Sequence, residues 1–287
     1  MEIILQLLID ALLLAGYYAL LSSGFSLIWG VSGIINLAYG SFVLVGAYMI
    51  YTFHLLGMNT FLAFLLTVAF GLVCGAILQR LLFNKLMGYE PFTLLVLTFG
   101  FDILLSNLLN LFFKADVRSL NLESLSDSFF VSYFVLPYNK LIVFLLSVST
   151  IVALQLFLKG TWTGRAIRAV SFDKVGAELC GINPSRIYTI STSIATALAM
   201  LSGGFYALLQ GFTPFASEGI TLKAFFVCVV GGLGNVHGLL LGSFVLALSE
   251  VFSGFYLGEG WKLVVSLAIL VLFLLWKPHG VAGVKYA

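Results

Sequence analysis

Charged side chains are scarce in this sequence, and their scarcity excludes an ordinary soluble protein. Only 9% of the 287 residues are Asp, Glu, Lys or Arg, whereas 61% are hydrophobic. Soluble domains carry about 25% charged residues, because their surfaces must be hydrated. A soluble fold of this composition would expose apolar patches far larger than monomers tolerate. The composition therefore indicates an integral membrane protein, and the net charge of +2 gives no indication of nucleic-acid binding.

Residues that catalysis or redox chemistry would require are also few. The three cysteines, Cys74, Cys180 and Cys228, lie in apolar runs or in a basic stretch, so they predict no disulfide framework. The three histidines have no metal-ligand spacing, and neither a phosphate-binding loop nor a nucleophile elbow occurs. We therefore expect no enzyme activity and no cofactor in this chain alone.

Long apolar runs are what the sequence does contain. A transmembrane helix needs roughly 20 apolar residues to cross about 30 Å of hydrocarbon. The runs predict an all-α polytopic membrane protein with eight or nine transmembrane segments, forming one domain over residues 1–287. No basic stretch precedes the first run, which favours a spanning helix over a cleavable signal peptide. The predicted segments are 3–29, 37–56, 61–83, 92–113, 141–158, 187–210, 220–230, 239–256 and 263–276.

Two glycine-rich interruptions predict broken or half-helices. Residues 29–40 contain three glycines and an asparagine, and the short seventh run ends in the glycine-rich stretch 231–235. Non-helical backbone inside a membrane is tolerated where it is buried in protein or lines a water-filled cavity, and it commonly borders solute paths. A plain turn between two helices is the alternative for the first stretch. The candidate solute-path residues are Gly33, Asn36, Gly40, Gly231, Gly232 and Asn235.

Glycines also recur at four-residue spacing inside the apolar runs. Gly71 and Gly75 form one such pair, and Gly238 and Gly242 form another. Small residues one turn apart allow helix backbones to approach closely in lipid. These pairs predict tight helix packing.

Three ionisable residues lie within the predicted transmembrane segments. Asp102 is near the middle of its segment and must face protein or water, where a structural hydrogen bond is favoured over a proton relay. Lys223 and Glu250 lie on adjacent segments that run in opposite directions, so we predict that their charged groups interact. A structural ion pair is favoured over contact with a passing charged solute.

Residues 159–186 are the most basic stretch, with five Lys or Arg residues against two acids. A surplus of basic residues predicts a loop on the cytoplasmic side, whereas the balanced loop 114–140 fits the outer side. Counting nine crossings from these loops places the N-terminus outside and the C-terminus in the cytoplasm.

The same stretch predicts a short amphipathic helix over residues 172–180. Phe172, Val175 and Leu179 would form one apolar stripe, Gly181 would end the helix, and the Asn-Pro pair at 183–184 opposes its continuation. The stripe could lie on the bilayer or on the protein's own helices, or it could dock a cytoplasmic partner.

Several motifs resemble those of the permease subunits of bacterial branched-chain amino-acid ABC importers. The resemblance extends from about residue 15 to residue 281. The matching stretches are GIINLAYG at 33–40, TGRAIRA at 163–169, the segment 177–183, LKAF at 222–225, VVGGLGN at 229–235 and WKPHGV at 276–281.

The resemblance implies an inner-membrane permease subunit with a membrane domain similar to the cobalamin-importer type. Its partners would be two cytoplasmic ATPases, a second permease (a related chain or a second copy) and a periplasmic or extracellular solute-binding protein. Residues 159–186 would hold the coupling segment, with Asp173, Ala177 and Gly181 at matching positions. Phe172, Val175 and Leu179 would then fill a groove of the ATPase.

Two departures from the family pattern leave the solute open. Asp102 stands where an uncharged residue is expected, and Tyr39 stands where a histidine is common. Permeases for urea and short-chain amides share this scaffold. A self-sufficient ion-coupled transporter, with Asp102, Lys223 and Glu250 as a relay, is the rival class, and a purely structural scaffold is the third.

Overall fold

A computed structural model describes residues 2–86, 89–120, 122, 127–131, 134–232 and 236–277. Over these residues the chain is almost entirely helical, as the apolar runs predict. A π-helix, Gln79–Phe83, continues one long helix, and a hairpin of β1 (Ser128–Val131) and β2 (Phe134–Pro137) interrupts the helical sequence. The α-helices are α1 (Glu2–Ser32), α2 (Tyr39–Leu55), α3 (Thr60–Leu78), α4 (Asn84–Leu86), α5 (Pro91–Phe113), α6 (Tyr138–Gly160), α7 (Trp162–Phe172), α8 (Lys174–Leu179), α9 (Pro184–Leu209), α10 (Ser217–Gly231), α11 (Val236–Tyr256) and α12 (Lys262–Trp276).

All nine predicted transmembrane runs are helices in the structure. Within the described ranges, seven helical stretches are long and apolar enough to cross a membrane, and they are Glu2–Ser32, Thr60–Leu86, Phe92–Phe113, Tyr138–Gly160, Pro184–Leu209, Gly238–Tyr256 and Glu259–Trp276. The other two are shorter: α2 has 17 residues and α10 has 15. At 1.5 Å per residue α10 is about 22 Å long, less than the roughly 30 Å of a hydrocarbon core. The predicted short seventh segment is therefore confirmed.

The chain falls into two compact units. The central unit consists of Ser23–Ser119 and Val152–Thr221, and the terminal unit consists of Met1–Ser22, Leu120–Ile151 and Leu222–Ala287. Each unit has helices that pack through small residues.

In the central unit, α9 packs between α2 and α3 at backbone contact distance. A Cβ added at Gly71 would lie 2.7 Å from the Cα of Ala197, and one at Gly75 would lie 2.7 Å from the Cα of Ser193. These distances are shorter than any normal carbon contact, so only glycine fits there. The predicted packing role of this glycine pair is confirmed. Because the later glycine on α3 meets the earlier residue on α9, the two helices are antiparallel.

In the terminal unit, α11 packs closely on α10 and on α12. A Cβ at Gly242 would lie 2.6 Å from the carbonyl oxygen of Val227, and the hydroxyls of Ser249 and Ser266 lie 3.1 Å apart. Near the start of α1, the Asp10 carboxylate forms a 2.7 Å ion pair with Lys140. Close backbone packing at glycine and hydrogen bonding between serines therefore hold these helices together, because hydrophobic burial supplies no driving force in lipid.

Candidate functional site

The basic segment folds as two short helices rather than the single helix that its apolar spacing predicts. α7 ends at Phe172, and Asp173 has an extended backbone with φ −149° and ψ 106°. The Asp173 carboxylate then caps α8 by accepting a 3.0 Å hydrogen bond from the amide of Val175. The prediction of one stripe on one helix was wrong, because Asp competes with the backbone inside a helix and favours the capping position.

The three predicted stripe residues are nevertheless exposed together. Phe172 is 86% exposed, Val175 is 64% exposed and Leu179 is 85% exposed, whereas Ala177 is only 4% exposed. α8 therefore presents apolar side chains outward while its small residue packs inward. Apolar groups this exposed indicate contact with something outside the chain.

A left-handed glycine ends α8. Gly181 has φ +81°, its amide donates to Glu178, and the amide of Ile182 donates to the carbonyl of Ala177 at 3.0 Å. This pair of hydrogen bonds is a Schellman motif, and the positive φ favours glycine. The predicted stop at Gly181 is confirmed.

Both flanks of the segment are fixed by further caps. Thr161 accepts from the amide of Gly164 at the start of α7, and Asn183 accepts from the amide of Arg186 at the start of α9. The hydroxyl of Ser171 donates to the carbonyl of Gly30. These hydrogen bonds fix α7 and α8 within the central unit, and their apolar side chains remain exposed.

The first predicted interruption is an ordered, non-helical link between α1 and α2. Gly33 has φ +69°, and Asn36 is 2% exposed with its Oδ1 accepting from the amide of Ala38 at 3.0 Å. That bond identifies Oδ1 as the acceptor, so Nδ2 is the donor of this side chain. Nδ2 has no hydrogen-bond partner among the described residues. A buried amide donor without a partner is costly and is available to a ligand.

Gly40 brings the start of α2 against the start of α10. The Gly40 amide donates to the hydroxyl of Thr221 at 2.9 Å. A Cβ at Gly40 would collide with the carbonyl oxygen of Ser217. Glycine is needed here because of this close approach.

The second interruption belongs to the terminal unit. A Cβ at Gly231 would lie 2.9 Å from the amide nitrogen of Leu239, and Gly232 follows with φ +86°. Asn235, the remaining predicted solute-path residue, lies outside the described residues.

Asp102 is buried in the central unit within a cluster of serine hydroxyls. Its side chain accepts hydrogen bonds from Ser41 at 2.5 Å and from Ser217 at 3.3 Å, and it is 4% exposed. The hydroxyl of Ser106 lies 3.3 Å from that of Ser41 and 3.1 Å from that of Ser217. Asp102 therefore faces protein and is hydrogen-bonded to hydroxyls, and its structural role stays a prediction. Sequence reasoning noted Ser106, four residues after Asp102 on the same helix, but missed Ser41 and Ser217, which are distant in sequence.

Lys223 and Glu250 form an ion pair in the terminal unit, with the carboxylate buried and the lysine half-buried. The ammonium lies 3.0 Å from Oε1 and 3.3 Å from Oε2 of Glu250, as the opposed segments predict. Tyr18, which sequence reasoning missed, donates its hydroxyl to the same carboxylate, and the ammonium lies 5.5 Å from the centre of its ring. The two charges neutralise each other within this contact.

The chain resembles known proteins along nearly its whole length. A family described as "Branched-chain amino acid transport system / permease component" matches residues 7–274. The chain is 30% identical to the high-affinity branched-chain amino acid transport system permease protein LivH of Escherichia coli K12, over 97% of this chain and 95% of that one. It is 27% identical to BraD of Pseudomonas aeruginosa PAO1, with the same coverage.

A second type of permease and one solved structure also match. LivM of Escherichia coli K12 is 26% identical over 95% of this chain and 69% of its own length. The fold matches a chain of PsaBC from Streptococcus pneumoniae, solved in complex with Fab, with a TM-score of 0.55 at 10% identity over 92% of this chain and 90% of that one. The chain is thus a multi-pass membrane protein that belongs to the permease-component family of branched-chain amino acid transport systems.

Proposed function

We propose that this chain is the permease subunit of an ATP-driven importer for branched-chain or other small amino acids. The solute class is carried over from LivH and BraD, whose names describe high-affinity branched-chain amino acid transport. Hydrolysis would occur in a separate chain, because this sequence has no phosphate-binding loop.

The complete importer would contain four further subunits. Two cytoplasmic ATPases would bind the permeases, and a periplasmic or extracellular binding protein would deliver the solute. The match of both LivH and LivM to this chain supports a second, related permease as its partner, with a second copy of itself as the alternative.

The exposure of Phe172, Val175 and Leu179 on the capped α7–α8 segment is the observation that carries the proposal. An apolar group whose backbone is already ordered loses less entropy when it docks than one on a flexible loop, which favours binding. Residues 159–186 would be the coupling segment of a single permease domain over 1–287, with Asp173, Ala177 and Gly181 setting its shape.

The same assignment implies a topology in the inner membrane. The surplus of basic residues in 159–186 supports a cytoplasmic position for this segment. Nine crossings would then leave the N-terminus outside and the C-terminus inside.

The solute path would run along the interrupted helices. Asn36 supports this role, because its buried Nδ2 is a donor with no partner in the described part of the chain and could bind a solute carboxylate. Gly33 and Gly40 would keep the backbone close to the solute, and Gly231, Gly232 and Asn235 would do so at the other interruption. Nucleotide-dependent movement of the coupling segment would favour one accessible state over the other.

A role for the buried charges as an ion relay receives less support. Lys223 and Glu250 neutralise each other, and Asp102 is held by hydroxyls. An ion-coupled transporter would take up solute without an ATPase, which the following experiment also measures.

The test is leucine uptake into proteoliposomes that contain this chain with the ATPases, second permease and binding protein of its transport system. Leu179→Asp places a charge in the docking contact, so we expect uptake to fall by at least about tenfold, as at an interface hot spot. The matched control is Leu257→Asp, at a 57% exposed leucine that would lie on the outer side in the proposed topology. Equal uptake by the two variants, or uptake without ATP, would contradict the proposal.

A further inference from the structure

An apolar groove of about 440 Å³ opens on the surface of the central unit, between α3 and α5. All of its lining side chains are hydrophobic, and they come from α2, α3, the π-helix, α5 and α9. Several of them are open to the surroundings: Phe70 is 45% exposed, Ile77 is 51% exposed and Leu81 is 58% exposed. The groove lies on membrane-spanning helices, so what surrounds it is lipid or another membrane chain.

The size of the groove is in the range of specific ligand sites, which measure roughly 300–1,000 Å³. Its lining runs along one helix from Phe70 to Leu82. This distance is about 18 Å at 1.5 Å per residue, slightly more than one leaflet of a hydrocarbon core of about 30 Å. The groove therefore has the length and polarity of a single extended acyl chain. A zwitterionic amino acid would find no charged partner among its lining residues.

The shape of the groove is fixed by a polar contact at the π-helix. Gln79 is fully buried, and its Oε1 accepts a 2.7 Å hydrogen bond from Thr192 while its Nε2 donates to Asn84 at 2.9 Å. These bonds hold the wider turn that carries Leu81 and Leu82 into the groove. π-helical turns are rare and are common at functional sites.

Basic side chains gather at one end of the groove. Arg80 and Lys85 are exposed on the π-helix and α4, where the membrane span of α3 ends. Because α3 and α9 are antiparallel, the exposed Arg186 at the start of α9 lies at the same end. These three cations stand against two acids, Glu90 and the Glu178 that lies near the start of α9, so the excess at this end is positive. Lys and Arg at a membrane surface attract anionic lipid headgroups.

We propose that this groove is a binding site for one anionic phospholipid, with an acyl chain along α3 and the headgroup at Arg80 and Lys85. Long basic side chains near a helix end reach to the headgroup layer, which brings their charges to the phosphate. None of the groove's lining residues is a candidate solute-path residue or part of the coupling segment, although Leu78, Leu82 and Phe101 also line the small cavity beside Asn36.

The test is a lipid titration of the full chain in detergent, followed by native mass spectrometry. Phosphatidylglycerol and phosphatidylcholine with identical acyl chains are the two probes. Arg80→Gln combined with Lys85→Gln should weaken phosphatidylglycerol binding by about fivefold for each charge removed. Phosphatidylcholine binding should change little. The matched control is Lys114→Gln, an exposed lysine at the opposite end of α5.

A second pair of variants tests the groove itself. Cys74→Trp fills the groove and should reduce the lipid retained after purification by at least about tenfold, whereas Val73→Trp, on a 56% exposed face outside the groove, should not. Equal affinity of the unaltered chain for the two lipids would overturn the proposal. So would unchanged lipid retention in Cys74→Trp together with lost pairing to the second permease, because the occupant would then be a protein.

Discussion

Two buried carboxylates of this membrane protein are stabilised by different partners. In the terminal unit, Glu250 is 3% exposed and is neutralised by Lys223 at 3.0 Å. In the central unit, Asp102 is 4% exposed and no cation pairs with it among the described residues; hydroxyls take that place. An ion pair makes each partner dependent on the other, whereas a set of hydroxyls can adapt to a neutral side chain.

This difference means that the two sites should respond unequally to loss of one group. Removal of one member of a buried pair leaves an uncompensated charge, which is among the costliest single changes in a folded protein. Replacement of a carboxylate by an amide within a hydroxyl cluster changes only how hydrogen bonds are shared. The comparison therefore predicts a clear order of effects.

The largest effect is expected for Lys223→Met. This variant keeps most of the length of the side chain but leaves Glu250 without its cation, so we expect a loss of up to about 3–5 kcal/mol in the free energy of unfolding. Reversible unfolding in mixed detergent micelles measures it. Lys114→Met, at an exposed lysine, is the control, and a loss no larger than that of the control would contradict the prediction.

The helices and the Lys223–Glu250 ion pair could be predicted because each depends on a signal that is read directly along the chain. Apolar runs set the bounds of the helices within a few residues, since the bilayer demands a minimum apolar length. Lys223 and Glu250 lie only 27 residues apart on successive antiparallel segments, so a count along the chain brings them to similar depth. The stop at Gly181 followed from the requirement for a positive φ.

The partners of these charges could not be predicted, because they are distant in sequence. Ser41 and Ser217 lie 61 and 115 residues from Asp102, and Tyr18 lies 232 residues from Glu250. Serine and tyrosine are common in apolar helices, and no local pattern marks the ones that meet a charge. The hairpin β1–β2 was missed for a related reason, since two four-residue strands give too short a pattern.

The break at Asp173 was missed because two local rules disagreed there. The apolar spacing of Phe172, Val175 and Leu179 favours one continuous helix, whereas Asp favours a cap. The cap prevailed, since Asp173 both ends α7 and accepts from the amide of Val175. Spacing alone therefore predicted which side chains are exposed but not which helix carries them.

A smaller effect is expected for Asp102→Asn. The amide keeps an oxygen acceptor for Ser41 or Ser217 and adds donors that the neighbouring hydroxyls can accept, so the loss should be about 1 kcal/mol. ATP-driven uptake of leucine in the reconstituted system should stay close to that of the unaltered chain. A loss as large as that of Lys223→Met, or loss of uptake with normal stability, would show that Asp102 acts as an ion, and the contrast between the two sites would fail.

The smallest net effect is expected when both members of the ion pair are replaced, in Lys223→Met combined with Glu250→Leu. Apolar side chains of similar size remove the desolvation cost of both charges, and such replacements are often neutral or stabilising. We therefore expect the double variant to unfold within about 1 kcal/mol of the unaltered chain, although the loss of a partner for the Tyr18 hydroxyl works against full recovery. The double-mutant cycle needs Glu250→Leu alone as its fourth member, measured in the same micelles. If the double variant is as unstable as the sum of its single variants, the two charges do not depend on each other, and the pair would resemble the hydroxyl-bound Asp102 after all.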